Sequence, residues 1–83
     1  MAWWVYVVRS PSTGKLYVGM TSRLACRLRE HNNGSTRSTG SGVPWYLVHR
    51  ERFEDCGSAR ARERFLKSGK GREYIKGLLS PSG

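Results

Sequence analysis

Residues 3–19 read WWVYVVR, SPSTG and KLYVG, and this stretch decides the fold. Trp3 to Arg9 is dense in aromatic and β-branched side chains, which suit a pleated, packed surface, and it reads as a buried strand. Ser10 to Gly14 is rich in turn formers. Lys15 to Gly19 reads as a second strand, so the segment is expected to fold back as an antiparallel hairpin. Alternate residues of a strand share a face, and Tyr6 and Tyr17 can therefore stand on the same side of the sheet.

Working outward, Thr21 or Ser22 is suited to cap a helix over about Arg23 to Asn32. Leu24, Leu28 and His31 recur on one face of that helix, and Gly34 is a natural stop. Asn32 to Pro44 (NNGSTRSTGSGVP) is a stretch of mostly Gly, Ser, Thr and Asn that carries Arg37. A loop of this length in a small domain is either functional or a floppy linker. Trp45 to Phe53 (WYLVHRERF) alternates as a third strand. Gly57 and Ser58 precede a helix from about Ala59 to Lys67. A Gly-Lys-Gly break follows, then a short helix from Arg72 to Leu79 and a Ser-Pro-Ser-Gly end expected to fray. The order β-β-α-β-α-α predicts an α+β fold, a small three-stranded antiparallel sheet flanked by helices. Eighty-three residues suffice for one compact core and not for two, so residues 1–83 are expected to form a single domain with an ordered core over about 3–79.

Charge is the strongest compositional signal. Fifteen Lys and Arg stand against six Asp and Glu, for a net charge of +9 and a pI near 10.4. Such an excess points to a polyanionic partner, nucleic acid first, and Arg is the residue type best suited to bidentate phosphate contacts. Charge alone also fits a merely solvated basic surface, and it does not separate a binder from an enzyme. Cys26 and Cys56 stand far apart with no CxxC pairing, which argues against a disulfide scaffold and a four-ligand zinc site, and for a reduced cytoplasmic setting. The longest apolar run, Ala2 to Val8, is too short for a membrane span and lacks the pattern of a signal peptide, so no membrane partner is expected.

Four polar features fall where this fold can gather them. Tyr6 and Tyr17 lie in the hairpin, Arg27 and His31 share one face of the first helix four residues apart, and Glu63 lies at the edge of the apolar arc of the second helix, beside Ala59 and Leu66. In this order, Tyr6, then Tyr17-Val18-Gly19, then Arg27, His31 and a helical Glu63, the chain resembles the GIY-YIG nuclease family, in its small stand-alone members. The resemblance runs from about Trp4 to Leu79 and is close around Arg27-Leu28-Arg29-Glu30-His31-Asn32 and Ala61-Arg62-Glu63-Arg64. Two positions depart from the family pattern. Trp4 stands in place of the usual glycine of the first motif, and Tyr74-Ile75-Lys76 occupies the region where many members carry an Asn.

The resemblance implies a metal-dependent endonuclease, or alternatively an exonuclease, that hydrolyses DNA. Hydrolysis of a phosphodiester needs a deprotonated water, stabilised charge on the phosphate and a neutralised leaving oxygen. Glu63 is then the ligand of a single Mg²⁺ or Mn²⁺, hard ions that take a carboxylate with waters and substrate phosphate. Taken alone, a helical Glu63 would more often pair with Lys67 at i+4. Tyr6 is implied as general base and Tyr17 as its partner, or the reverse, since a phenol with an ordinary pKa of about 10 needs help to act as a base. Arg27 would fork onto the scissile phosphate. His31 would bond a phosphate oxygen, orient a tyrosine or assist proton transfer.

Arg23, Arg29, Arg37, Lys67, Lys70, Arg72 and Lys76 are candidates for sequence-independent contacts to the nucleic-acid backbone. No recognition helix or second DNA-binding domain is evident in the sequence, so low sequence specificity is expected, with selectivity for single-stranded or branched substrate and RNA left open. Two other classes fit the same scaffold: a non-catalytic nucleic-acid-binding module, and an accessory subunit whose protein partner supplies substrate recognition. DNA repair is among several compatible settings.

Overall fold

The computed structural model describes residues 2–11, 13–33 and 44–79. In chain order the elements are β1 (Trp3–Arg9), β2 (Leu16–Thr21), α1 (Leu24–Asn32), β3 (Tyr46–Phe53), α2 (Cys56–Lys67) and α3 (Gly69–Leu79). The strands form one antiparallel sheet in the order β2-β1-β3. The expected α+β architecture is therefore the observed one. No described helix is long and apolar enough to cross a membrane.

The most apolar strand takes the centre because both its faces must be covered. Val5, Tyr6, Val7 and Val8 are all at most 1% exposed. Their alternation divides the core in two. Val5 and Val7 pack with Val18, Ala59, Leu66 and Ile75 beneath α2 and α3. Tyr6 and Val8 point the other way and pack with Trp45, Tyr17, Leu24 and Leu28 beneath α1. The hairpin register opposes Tyr6 to Gly19 and Val8 to Tyr17, so both tyrosines lie on the α1 face. Gly14 closes the turn with a φ of 72°, a left-handed conformation that glycine adopts without strain.

β2 runs on past Gly19 to Thr21, and three helix boundaries differ from the sequence reading, each for a local reason. α1 begins at Leu24, and neither Thr21 nor Ser22 caps it. Arg23 occupies the cap position with no side-chain cap bond, and the Thr21 hydroxyl instead accepts from the Arg23 amide at 3.0 Å. α2 begins at Cys56, earlier than Ala59, because Asp55 caps it: one carboxylate oxygen accepts from the Ser58 amide at 2.7 Å and the other from the Ser58 hydroxyl at 2.8 Å. The Gly-Lys-Gly segment is not a break but the first turn of α3. Ser68 alone separates the helices, and its hydroxyl and carbonyl accept from the amides of Gly71 and Arg72.

Two polar links tie the layers together. The Asn32 side chain accepts from the Trp45 amide at 2.6 Å and donates to the Trp45 carbonyl at 3.1 Å, joining the end of α1 to the start of β3 as a strand partner would. On the opposite face, Arg62 donates two bonds to Glu51, at 2.9 and 3.0 Å, and Glu51 also pairs with His49 at 2.7 Å. Burial opposes ionisation of Glu51, but the bonds from Arg62 and His49 outweigh it and lower its pKa below the ordinary 4.5. A carboxylate whose folded pKa is depressed contributes stability that is present above its unfolded pKa and lost as pH falls through the folded one. Glu51→Gln should therefore lower stability by about 1–2 kcal/mol at pH 7. In urea titrations the gap between mutant and wild type should shrink as pH falls below 4.5 towards 3.

Candidate active site

The site is assembled from side chains that β1, β2 and α1 bring onto one face of the sheet. Tyr6, at the middle of the central strand, is 1% exposed, and His31 on the last turn of α1 is fully buried. Their side chains meet, Tyr6 Oη to His31 Nε2, at 2.9 Å. Tyr17 completes a three-ring cluster, with its ring centre 4.9 Å from that of His31 and 6.4 Å from that of Tyr6. The cluster depends on Gly19, directly across from Tyr6. A Cβ there would stand 2.5 Å from Tyr6 Oη.

The electrostatics follow from this packing. Burial is the main reason the Tyr6 hydroxyl is pushed up to about 12, and the nearby Tyr17 and Glu63 add to the rise against the opposing pull of Arg27. His31 moves the other way, below its ordinary 6.5, because burial and then the Arg27 charge disfavour the imidazolium. At neutral pH the pair is a neutral phenol against a neutral imidazole.

Arg27 projects from α1 beside this pair. One terminal nitrogen donates to Glu30 at 3.0 Å, a bond that with Tyr6 raises the pKa of the guanidinium, while Nε is buried with no hydrogen-bond partner among the described residues. Arg27 also lines a cleft of about 200 Å³ with Thr21, Ser22, Arg23, Cys26 and Glu30. Glu63 comes from α2, on the far side of the sheet. It is half-buried, its charge is felt at Tyr6, and Lys67 one turn later lies 3.4 Å from its carboxylate. The pairing that a helical Glu63 would show in isolation is thus present.

A larger groove, about 590 Å³, runs between β2 and the α2–α3 pair. Tyr17 lines it, with Leu16, Val18, Leu66 and Ile75 as an apolar floor and Lys15, Lys67, Arg72 and Lys76 as cations. Three of the seven backbone-contact candidates, Lys67, Arg72 and Lys76, are gathered here, and Arg23 joins Arg27 at the smaller cleft. Arg29 and Lys70 are exposed but line neither, and Arg37 lies outside the described residues. Sequence reading missed Lys15. The hairpin turn that sets β2 against β1 also puts this lysine at the groove mouth, and its place just after the turn glycine was the available signal.

Among the described residues no three His, Cys, Asp or Glu side chains cluster as a metal cage. Glu63 is the carboxylate whose charge acts on Tyr6, while Glu30 is engaged with Arg27. A single hard carboxylate fits an ion that takes the rest of its shell from water and phosphate, and not one that needs an all-protein cage.

The description of the GIY-YIG catalytic domain matches residues 2–76. The chain belongs to the GIY-YIG family. That is a nuclease family, and a nucleic acid is the substrate class it implies. Among curated relatives, the chain is 41% identical to a UPF0213 protein of Desulfotalea psychrophila over 80% of its own length. It spans only 61% of that relative. A UPF0213 protein of Haloquadratum walsbyi is 39% identical over 78% of the chain and 73% of the relative. Among solved structures, the solution structure of a UPF0213 protein from Bacillus halodurans aligns with a TM-score of 0.59 at 25% identity, covering 98% of this chain and 88% of that one. The GIY-YIG match includes Tyr6, Tyr17, Arg27, His31 and Glu63 within its span.

Proposed function

We propose that this GIY-YIG domain is a divalent-metal-dependent nuclease that hydrolyses DNA phosphodiester bonds, with low sequence specificity and a preference for single-stranded or branched substrate. The observation that carries the proposal is the contact of the Tyr6 hydroxyl with His31 Nε2 at 2.9 Å, inside a cluster that Tyr17, Arg27 and the charge of Glu63 all reach. In the proposed path neutral His31 is the Nδ1–H tautomer, so its Nε2 accepts from the Tyr6 hydroxyl. Tyr6 takes the proton of the attacking water as its own proton passes to the imidazole, so a phenol with a pKa near 12 never has to exist as a free phenolate. Tyr17, at the junction of ring cluster and groove, orients that water. Arg27 binds the non-bridging oxygens of the scissile phosphate and stabilises the charge that builds there, its buried Nε gaining an acceptor.

Glu63 is the residue that would hold Mg²⁺ or Mn²⁺. Such an ion, when bound, supplies Lewis-acid stabilisation of the phosphate and of the leaving 3′ oxygen. The backbone of the strand is held by Lys15, Lys67, Arg72 and Lys76 along the groove and by Arg23 at the smaller cleft. Lys70 and Arg29 add long-range attraction.

The test is incubation with labelled single-stranded, duplex and branched oligonucleotides in Mg²⁺, Mn²⁺ or EDTA. Cutting is expected with either metal and absent in EDTA, fastest on substrate with unpaired strands. One observation favours a second reading, a binding module or accessory subunit: at rest Glu63 is already paired with Lys67 and Tyr6 is firmly protonated. Tight, salt-sensitive binding with no cutting in either metal would decide for it.

A further inference from the structure

The groove between β2 and α2–α3 holds four cations of unequal standing. Lys15, Arg72 and Lys76 have no ion-pair partner among the described residues, whereas Lys67 is tied to Glu63 at 3.4 Å. The two partners differ in exposure. The Glu63 side chain is 17% exposed and the Lys67 side chain 52%, so the carboxylate is the more buried partner and the ammonium is on the water side, on a flexible four-carbon stem. Lys67 thus borders both a carboxylate on its own helix and a groove whose other three cations have no ion-pair partner among the described residues.

We infer that Lys67 is an exchangeable counter-ion for Glu63, seated on the carboxylate while the groove is empty and transferred to substrate phosphate when a nucleic-acid strand occupies it. The inference rests on Glu63 being the metal ligand. An ammonium on Glu63 competes with a divalent cation for the same oxygens and repels it from close range. A strand in the groove offers Lys67 new anionic partners, and the carboxylate is freed as the substrate arrives. Metal and substrate then favour one another, and by linkage each raises the affinity of the other by the same factor. The device keeps the free protein poorly loaded with metal and completes the site on substrate. Lys67 is in this sense a positioning residue, acting through Glu63.

The experiment measures Mn²⁺ affinity by the loss of the free-ion electron paramagnetic resonance signal, so it does not depend on turnover. Wild type, Lys67→Met, Lys70→Met and Glu63→Gln are compared without DNA and with a phosphorothioate oligonucleotide that resists cleavage. Lys67→Met keeps the apolar stem and removes the charge. It should bind Mn²⁺ about three- to tenfold more tightly than wild type in the absence of DNA, since the pair to be broken and a close positive charge are both gone. The enhancement of Mn²⁺ affinity by the oligonucleotide should shrink by a similar factor. Lys70→Met removes an equal charge from a residue outside the pair and should move the affinity much less. Unchanged or weaker Mn²⁺ binding in Lys67→Met, or an equal gain in Lys70→Met, would overturn the inference. If Glu63→Gln binds Mn²⁺ as wild type does, the metal-ligand reading itself fails, and that result is separate from the behaviour of Lys67.

Discussion

Tyr6→Phe should lower the rate of DNA cleavage by about 10³-fold while the protein remains folded. The variant deletes one oxygen from a side chain that is 1% exposed and leaves the ring that fills the core under α1. The structural cost is the bond to His31 and the interaction with Arg27, about 1–3 kcal/mol, and circular dichroism should show the wild-type fold with a lower melting temperature. The catalytic cost is much larger because the oxygen is the proposed entry point for the proton of water. The pH profile separates this role from simple positioning. His31 has a pKa below 6.5, so wild type should lose activity only as His31 becomes protonated, and log rate should be flat from about pH 7 upward. In His31→Ala the imidazole can no longer take the Tyr6 proton, and the active form becomes the phenolate. Its log rate should then climb by one for each pH unit across the assay range, since the Tyr6 pKa of about 12 lies above it. A flat profile in His31→Ala, or a Tyr6→Phe protein with more than a tenth of wild-type activity, would remove Tyr6 and His31 from the proton path.

The proton path and the cation groove differ in how much of each was legible in the sequence. Strand type and order followed from local chemistry: a run of aromatic and β-branched residues, a turn, and a second short run leave little choice but a hairpin, and alternation then puts Tyr6 and Tyr17 on one face. Helix spacing did the same for Arg27 and His31. Contacts of long sequence separation are not readable from local pattern. The Tyr6–His31 bond spans 25 positions, and a tyrosine-orienting His31 is one of three roles that only the family resemblance implies, while the Asn32–Trp45 pair spans 13 and has no such pointer. The boundaries that moved did so through side-chain bonds of single residues, Asp55 onto Ser58 and Ser68 onto Gly71, which compete with the stronger visual signal of a glycine pair. Lys15 was passed over because charge alone does not say which of fifteen cations share a groove. Helix geometry marks Glu63 at the edge of the apolar arc, but its metal role comes only from the ordered set. Its i+4 neighbour Lys67 supplied a sufficient structural role, and that pairing is present in the fold together with its proximity to Tyr6.

Gly19→Ala should be nearly as damaging as the loss of the Tyr6 hydroxyl, and for a steric reason. Among the described residues Gly14 is the one with positive φ, so Gly19 has a backbone that alanine can adopt. The whole cost is contact. A Cβ at Gly19 would stand 2.5 Å from Tyr6 Oη and 2.7 Å from Tyr6 Cζ, both too close for carbon, and in tight contact at 3.1 Å with Tyr17 Cε1. Tyr6 cannot swing away to relieve this. It is on the central strand, paired with β2 on one side and β3 on the other, and its ring is packed with Val8 and Trp45. The strain must therefore be taken up by the hydroxyl end, which moves off His31, or by separation of the two strands. Overpacking of this kind costs about 1–3 kcal/mol, and displacement of a reacting group by about 1 Å costs about 10²-fold in rate. Both losses are expected in one variant, read by urea unfolding and by oligonucleotide cleavage. The double variant Tyr6→Phe, Gly19→Ala identifies the cause. Removing the oxygen abolishes the closest of the three contacts and leaves the other two, so the pair should be more stable than the sum of the single losses requires, by about 0.5–2 kcal/mol. Strict additivity, or a Gly19→Ala protein with wild-type cleavage, would mean that the second-strand glycine serves something other than room for the Tyr6 hydroxyl.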